Sequence, residues 1–175
     1  KVDVFATTQE DFMAKSIFVK LPHIKSPYPA LDRKPIDVNS ETRVHLVILG
    51  KNDLAEALAI NAALVAHYPN YCRDHRLRTR ISIVADDIYE WKDQLIQRYQ
   101  HLFDNSYYRI INLEEENPHC LCHQPMYGKT REDFVDVEWE FVNGNLRNDA
   151  LRTKLSEWGE SENQQLTVAI CTDDQ

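Results

Sequence analysis

Apolar residues along this chain gather in short runs that alternate with stretches of helical spacing. The run VHLVILG, residues 44–50, is almost continuously apolar and ends in glycine, which predicts a strand buried on both faces. In the following stretch, residues 52–68, apolar residues recur at helical spacing and alanines are frequent. We therefore predict a strand and then a helix, with Pro69 ending the helix.

The same succession of strand and helix continues to the end of the chain. Further strands are predicted at 80–87, 107–113, 135–145 and 166–174, and further helices at 88–103 and 146–159, the last ending at Gly159. Strands that alternate with helices are typical of parallel sheets with right-handed crossovers. The pattern predicts an α/β fold, a Rossmann-like three-layer αβα sandwich with a mainly parallel sheet.

The first 43 residues do not follow this alternation of strands and helices. A short helix is predicted in QEDFMAKSIFVKL, residues 9–21, and four prolines follow within residues 22–35, where they favour extended structure. We interpret residues 1–43 as an N-terminal arm or linker and residues 44–175 as the Rossmann-like domain. Because the sequence stops just after a predicted strand, we expect a domain truncated at its C-terminal end, excised from a longer protein.

Composition and charge narrow the classes of function. Hydrophobic residues make up 43% and charged residues 27% of the 175, as in soluble globular domains. The formal net charge of -8 argues against nucleic acid as the main partner, and the short basic run at 73–80 is interpreted as a solvated loop. Without a membrane-length apolar run or a signal peptide, and with four irregularly spaced cysteines, we expect a cytoplasmic protein or the cytosolic part of a membrane-associated one.

The turn after the first predicted strand carries the candidate chemistry. Gly50 suits a tight turn, and Ala55 suits a close contact between helix and strand, as in turns that bring a pyrophosphate to a helix N-terminus. Asn52 stands where a second glycine is expected, although asparagine tolerates a left-handed backbone. Asp86 or Asp87 occupies the position that binds ribose hydroxyls. A nucleotide site and a degenerate turn both remain open.

A second cluster, NPHCLCHQP at residues 117–125, combines residue types that bind zinc. It contains His119, Cys120, Cys122 and His123, but one tight segment rarely supplies all four ligands of a tetrahedral site. We interpret this segment as a polar loop and predict no metal site. The sequence also shows no evident pairing of a nucleophile with a base, which is consistent with a protein that is not an enzyme.

The last third of the chain resembles a known family. VEWEFVNGNLRNDALRTKL, followed by LTVAICTDDQ, is similar to the second half of a TrkA-N domain, the regulatory unit also called RCK or KTN. Gly144 and Asn145 match its Gly-Asp position, with asparagine for aspartate, and Thr172 falls in its final Thr/Asp-rich turn. HLVILGKNDLAEAL and ISIVADD match its first two strands, so the resemblance covers residues 44–175, with residues 107–134 inserted.

This resemblance implies a non-catalytic nucleotide-sensing or regulatory domain, part of a larger protein linked to potassium or other ion transport. It further implies a homodimer, a membrane transporter or channel as partner, and NAD or an adenine nucleotide as ligand. The ligand is expected over Gly50, Lys51, Asn52, Asp53, Ala55, Asp86, Asp87, Gly144, Asn145 and Thr172. Two alternatives remain, the NAD(P)-binding half of an oxidoreductase and a ligand-free dimerisation module.

Overall fold

The computed structural model describes residues 8–18, 31–113, 121–125, 133–145 and 147–172. The helices among them are α1 Gln9–Phe18, α2 Asp53–Val65, α3 Ile88–Arg98, α4 Gln100–Asp104 and α5 Asp149–Glu160. The strands are β1 Arg43–Leu49, β2 Thr79–Ala85, β3 Tyr107–Asn112, β4 Leu121–His123, β5 Val137–Asn143 and β6 Gln164–Ile170.

The strands form one sheet in the order β4-β3-β5-β2-β1-β6. All neighbouring pairs are parallel except β3 with β4, which are antiparallel at one edge. The predicted mainly parallel sheet is therefore confirmed. The chain leaves β1 for β2 on one side and later returns to β6 on the other. Such a reversal opens a crevice beyond the carboxyl ends of the strands.

Two apolar layers, one on each face of the sheet, confirm the three-layer sandwich. One face buries Leu46, Ile48 and Phe141 beneath α1, α2, α3 and α4. The opposite face buries Val47, Leu49, Val84 and Val142 beneath Leu151 and Trp158 of α5. Successive strand residues point to opposite faces, and the continuous apolar run of β1 supplies both cores.

The helix predicted at 88–103 is present, but it is broken at Tyr99 into α3 and α4. Tyr99 leaves the helical conformation at φ -117° and ψ 43°, so that α3 ends and α4 begins there. The hydroxyl of Tyr99 donates to Glu56 Oε1 in α2 at 3.0 Å. This contact joins residues 43 positions apart in the chain, so the helical spacing of the apolar residues could not indicate it.

Three smaller expectations also differ from the structure. Gly159 lies inside α5, which runs one residue further, to Glu160. Helix α2 ends at Val65, and Pro69 begins a short 3-10 turn instead of ending the helix. The irregular segment after β3 contains β4, which pairs with β3 at the edge of the sheet.

Helix α1 confirms the helix predicted near the N-terminus and packs on α2. Ala14 and Phe18 are buried in the larger core, and Asn61 Nδ2 of α2 donates to Asp11 Oδ1 at 2.9 Å. Leu31 is also buried in that core. The division of the chain at residue 43 stays a prediction. Within the part of the chain that the structure describes, no helix has the length and apolar character needed to cross a membrane.

Candidate functional site

A cleft of about 910 Å³ lies at the carboxyl ends of the parallel strands. The loops after β1, β2, β5 and β6 line it, which is the position where doubly wound sheets bind ligands. Eight of the ten predicted site residues line this cleft, Gly50, Lys51, Asn52, Asp86, Asp87, Gly144, Asn145 and Thr172. The other two, Asp53 and Ala55, belong to the first turn of α2 and do not line the cleft.

Gly50 makes the close approach that its position predicts, but to the protein itself. Its φ is +126°, and its N–H donates to the carbonyl of Val84 at 2.9 Å. A Cβ at this position would lie 1.9 Å from the carbonyl oxygen of Cys171, whose N–H donates to Leu49. The contact between the ends of β1 and β6 therefore requires glycine here, with or without a ligand.

Asn52 does not adopt the left-handed backbone that its place in the glycine pattern suggested. Its φ of -90° and ψ of 180° are those of a helix N-cap, and its Oδ1 accepts from the N–H of Ala55 at 3.0 Å. One N–H that a phosphate would use is therefore already satisfied. Asp53, exposed in the first turn, adds a negative charge beside the same N–H groups.

The turn after β2 is braced against the turn after β1. Asp87 has a left-handed backbone at φ 51° and ψ 54°. The Nζ of Lys51 donates to the carbonyl oxygens of Asp86 at 2.8 Å and of Asp87 at 3.0 Å. Lys51 thus bonds backbone oxygens of this turn, and the carboxylate of Asp86 has a different partner, Asn145.

Asn145 joins the turn after β5 to the same aspartate. Its Nδ2 donates to Asp86 Oδ1 at 2.8 Å, and its Oδ1 accepts from the N–H of Arg147 at 2.8 Å. The preceding Gly144 donates its N–H to Ala85 at 3.1 Å, which holds the two turns together. An aspartate at 145 would set two carboxylates against each other, so asparagine is the residue that suits Asp86.

Arg147 is a cleft residue that the sequence did not single out. It is exposed at the rim, and the cleft floor beneath consists of apolar side chains, among them the fully buried Leu151. Cys171 also lines the cleft, and burial raises the pKa of its thiol. The two cations, Lys51 and Arg147, match the two carboxylates of Asp86 and Asp87, so the lining is formally neutral.

A network of charged side chains on the α5 face of the sheet was missed entirely. Glu140 of β5 is 4% exposed and lies 2.9 Å from Arg109 Nε and 3.5 Å from Arg80 Nη1. Ser82 donates to the same carboxylate at 2.8 Å. Arg80 therefore does not belong to a solvated loop, because it lies in β2 with its side chain 15% exposed.

His45 of β1 lies at the end of this network. Its Nε2 is 2.7 Å from Ser82 Oγ, and its ring meets Trp158 of α5 edge-on at 4.7 Å between centroids. Burial, with the nearby charges of Arg80 and Arg43, lowers the pKa of His45 to about 2. The imidazole is therefore neutral at physiological pH and acts as a packing residue.

The cysteine–histidine segment falls mostly outside the described residues, which do not include His119 or Cys120 or the side chain of Cys122. His123 is described, and its ring stacks on Tyr108 at 4.6 Å. In the described ranges, no three His, Cys, Asp or Glu side chains come close enough to hold a metal ion.

Comparison of the chain with protein-family models, curated proteins and solved structures finds no match. The class is therefore defined by the chain's own geometry, a Rossmann-like α/β protein with a cleft at the point where the strand order reverses. Its resemblance to TrkA-N domains stays a prediction.

Proposed function

We propose that this chain is a non-catalytic regulatory domain that senses NAD or an adenine nucleotide in the cleft, within a larger protein linked to potassium or other ion transport. The observation that carries the proposal is the convergence of four separate loops on one cleft at the switch point of the sheet. Ligands of doubly wound proteins bind at such a point.

The chemistry of the lining suits a nucleotide in parts. The carboxylates of Asp86 and Asp87 accept hydrogen bonds from ribose hydroxyls, and the apolar floor around Leu151 suits a base. Lys51 and Arg147 supply positive charge for a phosphate. This arrangement differs from a glycine-turn site, because the cations and not the N-terminus of α2 neutralise the phosphate.

Regulation needs only that two conformations bind the ligand with different affinity. A homodimer with a transporter or channel as partner would read such a difference, as the resemblance to TrkA-N domains implies. No covalent step is required, and the neutral, buried His45 is not placed to act as a base for a ligand in the cleft.

Thermal unfolding in the presence of NADH, ATP and cyclic dinucleotides tests the proposal. A ligand that binds only the folded chain stabilises it by about 2.7 kcal/mol at one hundred times its Kd, which raises the Tm. We expect a rise with NADH or ATP at millimolar concentration. The absence of any shift with all three would refute nucleotide sensing by this chain.

Three variants assign the shift to the cleft. Asp86→Ala removes the carboxylate that faces the ribose and abolishes the shift, whereas Asp104→Ala, an exposed aspartate in α4, leaves it intact. Asn52→Gly frees the N–H of Ala55, which can then donate to a phosphate. We therefore expect NADH to bind the Asn52→Gly chain more tightly than the unchanged chain. Equal NADH shifts in Asp86→Ala and the unchanged chain would place the ligand elsewhere.

The second candidate is a ligand-free dimerisation module on the same fold. It is favoured by the contacts of Asn52 and Asn145, whose side chains satisfy within the protein the groups that a nucleotide would use. Sedimentation velocity separates the two. A concentration-dependent dimer with no nucleotide-induced Tm shift supports the module, and a monomer at every concentration refutes it.

A further inference from the structure

We propose that Asn145 reports the state of the cleft to helix α5, because it links the carboxylate of Asp86 to the backbone that leads into that helix. The proposal rests on the proposed function for its ligand, a molecule with a sugar diol, but its central contacts are present in the structure.

The link consists of two hydrogen bonds made by one side chain. The amide nitrogen of Asn145 donates to Asp86 Oδ1, and its amide oxygen accepts from the N–H of Arg147, each at 2.8 Å. The amide group is planar, so a rotation that breaks one bond also moves the other. Asn145 is therefore a positioning residue between the turn after β2 and the segment before α5.

That segment is tied directly to the helix. Asn148 is the N-cap of α5, with Oδ1 accepting from the N–H of Ala150 at 2.8 Å and Nδ2 donating to the carbonyl of Leu113 at 3.2 Å. The N–H of Asn148 donates in turn to the carbonyl of Asn145 at 2.9 Å. A displacement at residue 145 thus reaches the first turn of α5 through one further residue contact.

Helix α5 extends from the cleft to the other end of the sheet. Leu151, in its first turn, lines the cleft, and Trp158, near its last, contacts His45 beside the charged network. Its 12 residues span about 18 Å. Among the described residues, α5 is the helix that covers this face, so its position sets what the face presents to a partner.

The two states differ in the partner of Asp86. In the structure, the carboxylate accepts from Asn145. With a diol bound, the two sugar hydroxyls donate to the same carboxylate and replace the amide, which releases Asn145 and the N–H of Arg147. This exchange of donors supplies the difference in binding free energy that a population shift requires.

Amide hydrogen exchange and chemical shifts measured by NMR test the link in the unliganded chain. Asp86→Ala removes the acceptor of Asn145, and we expect the amide of Arg147 to exchange about tenfold faster. Asp86→Asn keeps an acceptor oxygen at the same place, so the exchange rate of the Arg147 amide in this variant should stay near that of the unchanged chain. The resonances of Leu155 and Trp158, outside the cleft lining, should move in Asp86→Ala and not in Asp86→Asn.

Addition of NADH then tests the same states with ligand. It should move the Leu155 and Trp158 resonances of the unchanged chain in the direction seen for Asp86→Ala. If neither NADH nor ATP binds, the proposed function fails, and the two Asp86 variants still decide on the link. Unchanged Arg147 exchange and unchanged α5 resonances in a folded Asp86→Ala chain would overturn it. Should Asp86→Ala fail to fold, Asn145→Ala removes the donor of the same hydrogen bond. The exchange of the Arg147 amide and the Leu155 and Trp158 resonances are then measured in that variant.

Discussion

Replacement of Gly50 by alanine is expected to destabilise the chain strongly, for reasons unrelated to any ligand. Gly50 has a φ of +126°, which L-residues rarely adopt. Left-handed conformations cost an alanine about 1–2 kcal/mol relative to its preferred regions. In addition, the new Cβ would lie 1.9 Å from the carbonyl oxygen of Cys171, so backbone must move to relieve the overlap.

The size of the effect follows from these two contributions. Overpacking a well-packed site costs about 1–3 kcal/mol, and with the backbone conformation the loss is about 2–5 kcal/mol. That is a large fraction of the about 5–15 kcal/mol that stabilises a typical domain. The flexible end of a side chain could rotate away, but the overlapping atom belongs to the backbone that ends β6.

Two other glycines in the same chain provide matched comparisons. At Gly144, with a φ of +155°, a Cβ would lie 3.3 Å from Leu113 Cβ, an overlap of only a few tenths of an ångström, so Gly144→Ala should cost about 1–2 kcal/mol. Gly159 lies inside α5 with nothing within 4 Å, and alanine there should stabilise by about 0.5–1 kcal/mol, through helix propensity.

Urea unfolding followed by circular dichroism measures all three. From most to least stable, the expected order is Gly159→Ala, the unchanged chain, Gly144→Ala and then Gly50→Ala. A Gly50→Ala chain as stable as the unchanged protein would refute the close contact between β1 and β6. In that case the glycine would be free to serve a phosphate, and the assignment of Gly50 to the fold would be wrong.

Three further predictions concern charges and caps. The hydrogen bond from His67 to Asp136 raises the pKa of His67 above 6.5, so its stabilisation is complete below pH 6.5 and lost as the pH rises through the folded-state pKa. Between about pH 6 and about pH 8.5, the Tm of Asp136→Asn should therefore fall less than the Tm of the unchanged chain. Glu140→Gln removes one of the two carboxylates, the other being Glu138, that pair with the partly buried Arg80 and Arg109. It should cost about 1.5–3 kcal/mol in urea unfolding, against less than about 0.5 kcal/mol for the exposed Glu157→Gln. Asn52→Ala removes a helix cap and should cost about 1 kcal/mol by the same assay, whereas Asn52→Asp should keep the cap.

The architecture could be predicted because each strand and helix is indicated by residues close together in the sequence. The apolar run of β1 and the helical spacing of α2 depend only on residues close in sequence, and the alternation then restricts the topology. The break at Tyr99 and the position of β3 beyond β5 could not be predicted in this way. Both depend on contacts between distant segments, such as Tyr99 with Glu56 and Tyr108 with Trp139.

The position of the cleft could also be predicted, but the contacts within it could not. Parallel strands bring their carboxyl ends to one edge, so Gly50, Asp86 and Asn145 had to come close together. Which oxygen of Asp86 meets Asn145 depends on side-chain rotamers, and no sequence pattern indicates these. The network of charged side chains on the α5 face could have been found in the sequence. VEWEF alternates apolar and acidic residues, as a strand with two different faces does.

The glycine turn and the ligand are separate questions in this chain. Gly50 is required by Cys171, Asn52 caps α2, and Asn145 bonds Asp86, so each of these residues has a sufficient reason inside the fold. A sequence motif built from them therefore supports the fold and adds little about a nucleotide. Evidence for a ligand must come from groups whose exposed charge the fold does not need, and in the described cleft the clearest of these is the guanidinium of Arg147 at the rim. Its replacement by alanine should weaken nucleotide binding while leaving unfolding in urea within about 0.5 kcal/mol of the unchanged chain, a combination that neither Gly50 nor Asn52 can show.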